Sequence, residues 1–183
     1  MGKELCIFGS LFQAVRSQTT LSQWEISVRA GTHLSNVNQV EAGNQEPNVI
    51  IAVKMLLAAN ADIQSFFTSL SPHLFQSIES SKLPVLSQKE FKKKLNSALL
   101  PSDETKIFGI LLSECRAATN LSQNCVSSIA KYDHRSLQRV EKGIQIPGVI
   151  NAAKLVAATG IEIGIFFDLF SKKLQAINST HYK

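Results

Sequence analysis

The side chains in this sequence that could do chemistry are few, and their spacing argues against catalysis. The three cysteines, Cys6, Cys115 and Cys125, form no Cys-x-x-Cys pair, and the four histidines, His33, His73, His134 and His181, are scattered. A zinc site needs four such ligands at short spacings, so neither metal nor cofactor is expected. Ser22-Gln23 and Ser122-Gln123 each set a hydroxyl beside an amide, but without a paired base, and the chain has no glycine-rich phosphate loop. No enzyme is expected on these grounds. The other candidates are polar and basic groups suited to hydrogen bonding, among them Arg135, Arg139 and the cluster Lys89, Lys92, Lys93 and Lys94. The plain reading of that cluster is a solvated helix face, the sharper one a phosphate-contacting patch.

Composition narrows the class further. With 44% hydrophobic and 18% charged residues, the chain reads as a folded globule rather than a disordered segment. Nineteen Lys and Arg against 14 Asp and Glu give a net charge of +5, which permits a nucleic-acid partner without requiring one. The segment Met1 to Cys6 lacks the apolar core of a signal peptide. No apolar run approaches the roughly 20 residues that span a bilayer. The expectation is a cytoplasmic protein with reduced thiols and no membrane partner.

An internal repeat supplies the elements that must position these groups. A shift of one hundred residues aligns the two halves without a gap: Phe8-Gly9 falls on Phe108-Gly109, Arg16 on Arg116, and Leu21-Ser22-Gln23 on Leu121-Ser122-Gln123. Val40-Glu41, Gly43, Pro47 and Phe66-Phe67 each fall on their counterparts in the same register. Such a match over more than sixty residues implies two copies of one unit, at about 5–71 and 105–171.

Each unit reads as five short helices, so the fold class is all-α. Phe8, Leu11, Phe12 and Val15 make an apolar stripe at helical spacing, repeated as Phe108, Leu111, Leu112 and Cys115, which makes Cys115 a core residue. A second helix starts at Ser22, a good N-cap, and runs to about Ala30; a third runs from about His33 to Glu41 with Val37 and Val40 inward. Gly43 and Gly143 stop the third helix of each copy, and Pro47 and Pro147 precede the fourth. Ile63, Phe66 and Phe67 place a fifth helix against the core. Residues 72–104 read as a partly helical linker punctuated by Pro72, Pro84 and Pro101, with apolar faces at Leu74, Phe75, Ile78 and at Phe91, Leu95, Leu99. A basic tail, 172–183, is expected to fray after a short helical stretch.

Two short helices joined by a tight turn inside a five-helix unit are the helix-turn-helix arrangement. The strings Leu21-Ser22-Gln23, Ala30-Gly31, Val40-Glu41-Ala42-Gly43 and Pro47, with Leu121-Ser122-Gln123, Val140-Glu141-Lys142-Gly143 and Pro147, resemble the lambda-repressor-like regulators of the Cro/C1 or XRE type. That resemblance covers about two thirds of the chain and implies roles. Gln23 and Gln123 correspond to the family's phosphate-anchoring glutamines, beside free backbone N–H groups. The third helix would lie in the major groove, presenting Leu34, Ser35, Asn36, Asn38 and Gln39 in copy 1, and His134, Arg135, Ser136, Gln138 and Arg139 in copy 2. Arg16 with Glu41, and Arg116 with Glu141, match a pair that ties the first helix to the end of the third.

Both copies depart from the family pattern. Ser27 and Ser127 stand where a small alanine is usual, and their hydroxyls need a partner such as the i−4 carbonyl. Lys131 stands where copy 1 has Gly31, so the turn of copy 2 is expected to be reshaped. Copy 1 carries three basic residues against four acidic ones over 8–71, copy 2 six against five over 108–171. The resemblance implies a sequence-specific regulator of transcription, a repressor, bound to double-stranded DNA through both copies, with half-sites about 34–36 Å apart. Pseudo-two-fold and direct-repeat arrangements are both open. The competing reading is a scaffold for self-assembly or a protein partner, through copy 1 or the linker, marked by an apolar patch over Leu34 and Leu74–Phe75.

Overall fold

The computed structural model describes residues 3–74 and 103–180; the expected linker helices, their lysines, Pro84 and Pro101 lie outside them. The described residues form ten α-helices and no strand, five in each copy. Copy 1 comprises α1 (Lys3–Ser17), α2 (Gln23–Ala30), α3 (Leu34–Glu41), α4 (Val49–Ala58) and α5 (Ile63–Leu74). Copy 2 comprises α6 (Glu104–Ala118), α7 (Gln123–Ala130), α8 (His134–Glu141), α9 (Val149–Ala158) and α10 (Ile163–Thr180).

Local chemistry sets these boundaries. Ser22 accepts the Glu25 N–H while the Glu25 carboxylate accepts the Ser22 N–H, a complete capping box at the start of α2. Ser122 caps α7 through the Cys125 N–H, and Asp133 caps α8 through the Ser136 N–H. Gly43 and Gly143 follow the third helix of each copy with φ of 68° and 69°, the left-handed conformation that halts it.

Two boundaries differ from expectation. Helix α5 continues through Pro72 to Leu74, because Leu70 and Leu74 are both buried one turn apart and Pro72 itself is exposed. The chain beyond 171 is not a tail: α10 runs to Thr180 and buries Phe170, Leu174 and Ile177, an apolar stripe at i, i+4, i+7. The lysines there decorate a packed helix, and Lys173 is itself buried.

The relation between the copies, open in the sequence, is a pseudo-two-fold. The Phe67 and Phe167 rings stack with centroids 3.7 Å apart and planes 5° apart, each flanked edge-on by Phe66 or Phe166. The Val49 N–H donates to the Pro147 carbonyl and the Val149 N–H to the Pro47 carbonyl, both at 3.0 Å. Lys54 pairs with Glu104 at 2.7 Å, and Lys154 with Glu4 at 3.1 Å. The Phe67–Phe167 stack joins a position to its own counterpart, and the other contacts come in exchanged pairs, as an isologous interface requires. The buried apolar residues of the two copies therefore form one continuous core. Copies this small have thin cores alone, and the shared layer of α5 against α10 supplies what each lacks.

The two-fold is broken where the sequences differ. Asn48 caps its own α4 through the Ile51 N–H at 2.9 Å. Copy 2 has Gly148 there, and the Glu46 carboxylate crosses from copy 1 to accept the Ile150 N–H at 2.9 Å. A Cβ on Gly148 would overlap that carboxylate, so the glycine makes the room.

Candidate nucleic-acid interface

Two helix pairs, α2–α3 and α7–α8, carry the residues singled out above. Gly31 links the first pair with φ 64° and ψ 40°; Lys131 links the second with φ 50° and ψ 44°. The closing bonds match, Thr32 N–H to Ser27 O and Tyr132 N–H to Ser127 O, each at 2.9 Å. The reshaped turn expected for copy 2 does not occur. Lysine adopts the left-handed conformation in place, at a cost of about 1 kcal/mol relative to glycine, and the packed α7–α8 pair holds it there. Ser27 and Ser127 bond the i−3 carbonyls of Trp24 and Asn124, not the i−4 carbonyls, at 2.7 and 3.0 Å.

The inner faces of both pairs are locked. Val37 and Val40 in α3, and Leu137 and Val140 in α8, are buried. Arg16 Nη2 reaches Glu41 Oε2 at 3.0 Å and Nη1 reaches the Leu21 carbonyl at 3.3 Å; Arg116 repeats both bonds at 2.9 and 3.0 Å. The hydrogen bonds to the carboxylates push both guanidinium pKa values up. The pair ties α1 to the end of α3, and α6 to the end of α8, with the fork geometry that makes Arg–carboxylate contacts directional.

Gln23 and Gln123 belong to the same network. Gln23 Nε2 donates to Glu41 Oε2 at 2.7 Å, and Gln123 Nε2 to Glu141 Oε2 at 2.6 Å. One amide proton is thus committed to the buried acid, leaving the second proton and the carbonyl oxygen of each. The sequence reading missed another part of the frame. A Cβ on Gly9 would overlap the Val40 carbonyl oxygen, and one on Gly109 the Val140 carbonyl oxygen, so each first helix packs backbone-to-backbone on the third. The signal was present: a glycine in the middle of a helix, at the same place in both copies.

The outer faces diverge. In α3, Ser35, Asn38 and Gln39 are exposed, while Asn36 is half-buried and donates to Thr32 Oγ1 at 3.0 Å. In α8, Arg135 and Arg139 are exposed; Ser136 is half-buried, and Gln138 Nε2 lies 3.0 Å from the half-buried His134 Nε2. Over 22–46, copy 1 has Arg29 against Glu25, Glu41 and Glu46. Over 122–146, copy 2 has Lys131, Arg135, Arg139 and Lys142 against Asp133 and Glu141.

Within the helices apolar exposure follows the opposite trend, although Ile144, just beyond α8, is also exposed. Trp24 and Val28 in α2 are about 60% exposed and Leu34 in α3 is 40% exposed. Their counterparts are Asn124, Ser128 and His134. Of the patch expected over Leu34 and Leu74–Phe75, Leu34 is exposed, Leu74 is instead buried in the core, and Phe75 lies outside the described residues. A cleft of about 500 Å³ in copy 1 has Leu11, Val15 and Phe66 on its walls, and Asp62 is its one ionisable lining residue. That lining offers no acid–base pair.

Comparison with family models, with curated proteins and with solved structures finds no match to this chain.

Proposed function

We propose that this protein binds double-stranded DNA through two helix-turn-helix units of the lambda-repressor-like type, with copy 2 carrying the larger share of the contact. The observation that supports this reading best is the free face of α8. It presents Arg135 and Arg139, one turn apart and exposed, on a helix locked from behind by Leu137, Val140 and the Arg116–Glu141–Gln123 network. An arginine so placed can pair bidentately with guanine in the major groove, and a basic flank neutralises phosphate. Ser35, Asn38 and Gln39 give copy 1 hydrogen-bonding capacity without charge, suited to a weaker contact. The pseudo-two-fold favours an imperfect palindrome over a direct repeat, because opposed recognition helices read opposed half-sites. Where such a site overlaps a promoter, occupancy would block transcription, and the protein would act as a repressor.

Selection of bound duplexes from a random pool tests this reading. It predicts an enriched site with two unequal half-sites and an affinity that falls steeply with salt. An unenriched pool at low salt would contradict it. The second reading, a scaffold with at most one copy on DNA, is favoured for copy 1 by the exposed Trp24, Val28 and Leu34.

A further inference from the structure

The outward face of α2 goes beyond any DNA reading. The fold does not demand apolar residues there: Asn124 and Ser128 occupy the same two positions of α7, in a helix of the same length and turn geometry. Trp24 and Val28 are nonetheless about 60% exposed, one turn apart on one ridge. Glu25 and Arg29, also one turn apart, form a second ridge beside it. The Glu25 carboxyl is held below the usual range by the Ser22 N–H and hydroxyl, with a smaller contribution from Arg29, so that ridge pairs a carboxylate with a guanidinium.

We propose that this face is a self-association surface, on which α2 of a second copy of the chain docks antiparallel. A two-fold axis passing between the turns sets each Trp24 against Val28 of the second copy. The same operation sets each Glu25 opposite Arg29 of the second copy. One helix thus supplies both halves of an apolar and an ionic match, which is the condition for an isologous contact. Copy 2 cannot form it, since Asn124, Cys125, Ser128 and Ile129 carry neither ridge. The assembly therefore closes at two chains. A contact built on a helix of eight residues is at the small end of specific interfaces, so the dimer is concentration-dependent.

The test uses the full chain, in which Trp24 is the only tryptophan. Sedimentation equilibrium over a concentration series is expected to show a rise from 20.1 kDa towards twice that mass, with a parallel blue shift of Trp24 emission. Val28→Glu is expected to weaken the dimer by at least about tenfold with the helical circular dichroism intact. Arg29→Glu and Glu25→Arg are each expected to weaken it on the order of tenfold, and an equimolar mixture of the two to recover it, because the mixed pair restores both ionic contacts. A chain that stays monomeric up to about millimolar concentration overturns the proposal. So does a dimer that Val28→Glu leaves intact, or a mixture that shows no recovery while both variants are folded. None of these readouts involves DNA, so the failure of one reading does not mask failure of the other.

Discussion

The α2–α3 and α7–α8 pairs share a backbone and differ in almost everything they show to solvent. Both have the same left-handed link, the same closing hydrogen bond and the same arginine–glutamate–glutamine network behind them. One presents Trp24, Val28 and Leu34 with a single arginine; the other presents Arg135, Arg139, Lys131 and Lys142. The frame and the surface are separable. Buried residues hold the frame because a lost contact there costs several kcal/mol, whereas exposed positions exchange at little cost to stability. A duplicated unit can therefore keep one fold and divide its contacts.

The largest effects should come from the layer the copies share. Phe67→Ala and Phe167→Ala are each expected to cost about 3–5 kcal/mol, measured by chemical denaturation. The double variant is expected to cost less than the sum, because the two rings stack on each other. A single unfolding transition that shifts for both variants would establish that the copies fold together; separate transitions would break the comparison into two independent units.

The next effect concerns surface chemistry. Ser35→Arg with Gln39→Arg would give α3 the charges of α8. Duplex affinity at fixed salt is expected to rise about tenfold, with a steeper salt dependence. An unchanged salt slope would mean that α3 does not face phosphate.

A smaller effect isolates the turn. Lys131→Gly is expected to raise stability by about 1 kcal/mol, and Gly31→Lys to lower it by about as much, since a Cβ at Gly31 meets nothing within 4 Å and only the left-handed φ is at stake. Equal stabilities would show that lysine bears no strain there.

The smallest effect depends on pH. Asp133 caps α8 and its carboxyl is held below the usual range by the Ser136 N–H, while His33 makes no such cap for α3. A depressed folded-state pKa contributes stability above the unfolded value of about 3.9, and that stability is lost as pH falls through the folded value. Asp133→Asn should therefore flatten the loss of stability below about pH 4, and at pH 7 it should be less stable than the parent by the small amount the parent loses on acidification.

Much of the fold was legible in the sequence. The apolar stripes, Ser22, Gly43 and Pro47 each act locally, so their periods and cap chemistry located the five helices of each copy. The pseudo-two-fold was not legible, because it rests on Phe67, Pro47 and Lys54 meeting residues about one hundred positions away. Phe67 read correctly as core, but nothing in its spacing says that it stacks on its own counterpart. The extension of α10 was masked by its lysines, which outweigh Leu174 and Ile177 in composition but not in packing. Among the candidate contact residues, the exposed ones followed from helical spacing. The diversion of Gln23 and Gln123 to buried acids did not, since it depends on where Glu41 and Glu141 arrive.

In the proposed function, α8 carries more of the DNA contact than α3. Once a selected duplex is in hand, its affinity for Arg135→Ala with Arg139→Ala should be compared, at one salt concentration, with that for Ser35→Ala with Gln39→Ala. A loss of about 1–3 kcal/mol per arginine, against a distinctly smaller loss for the copy 1 pair, is the predicted result. Equal losses, or an arginine variant that binds as tightly as the parent chain, would contradict it.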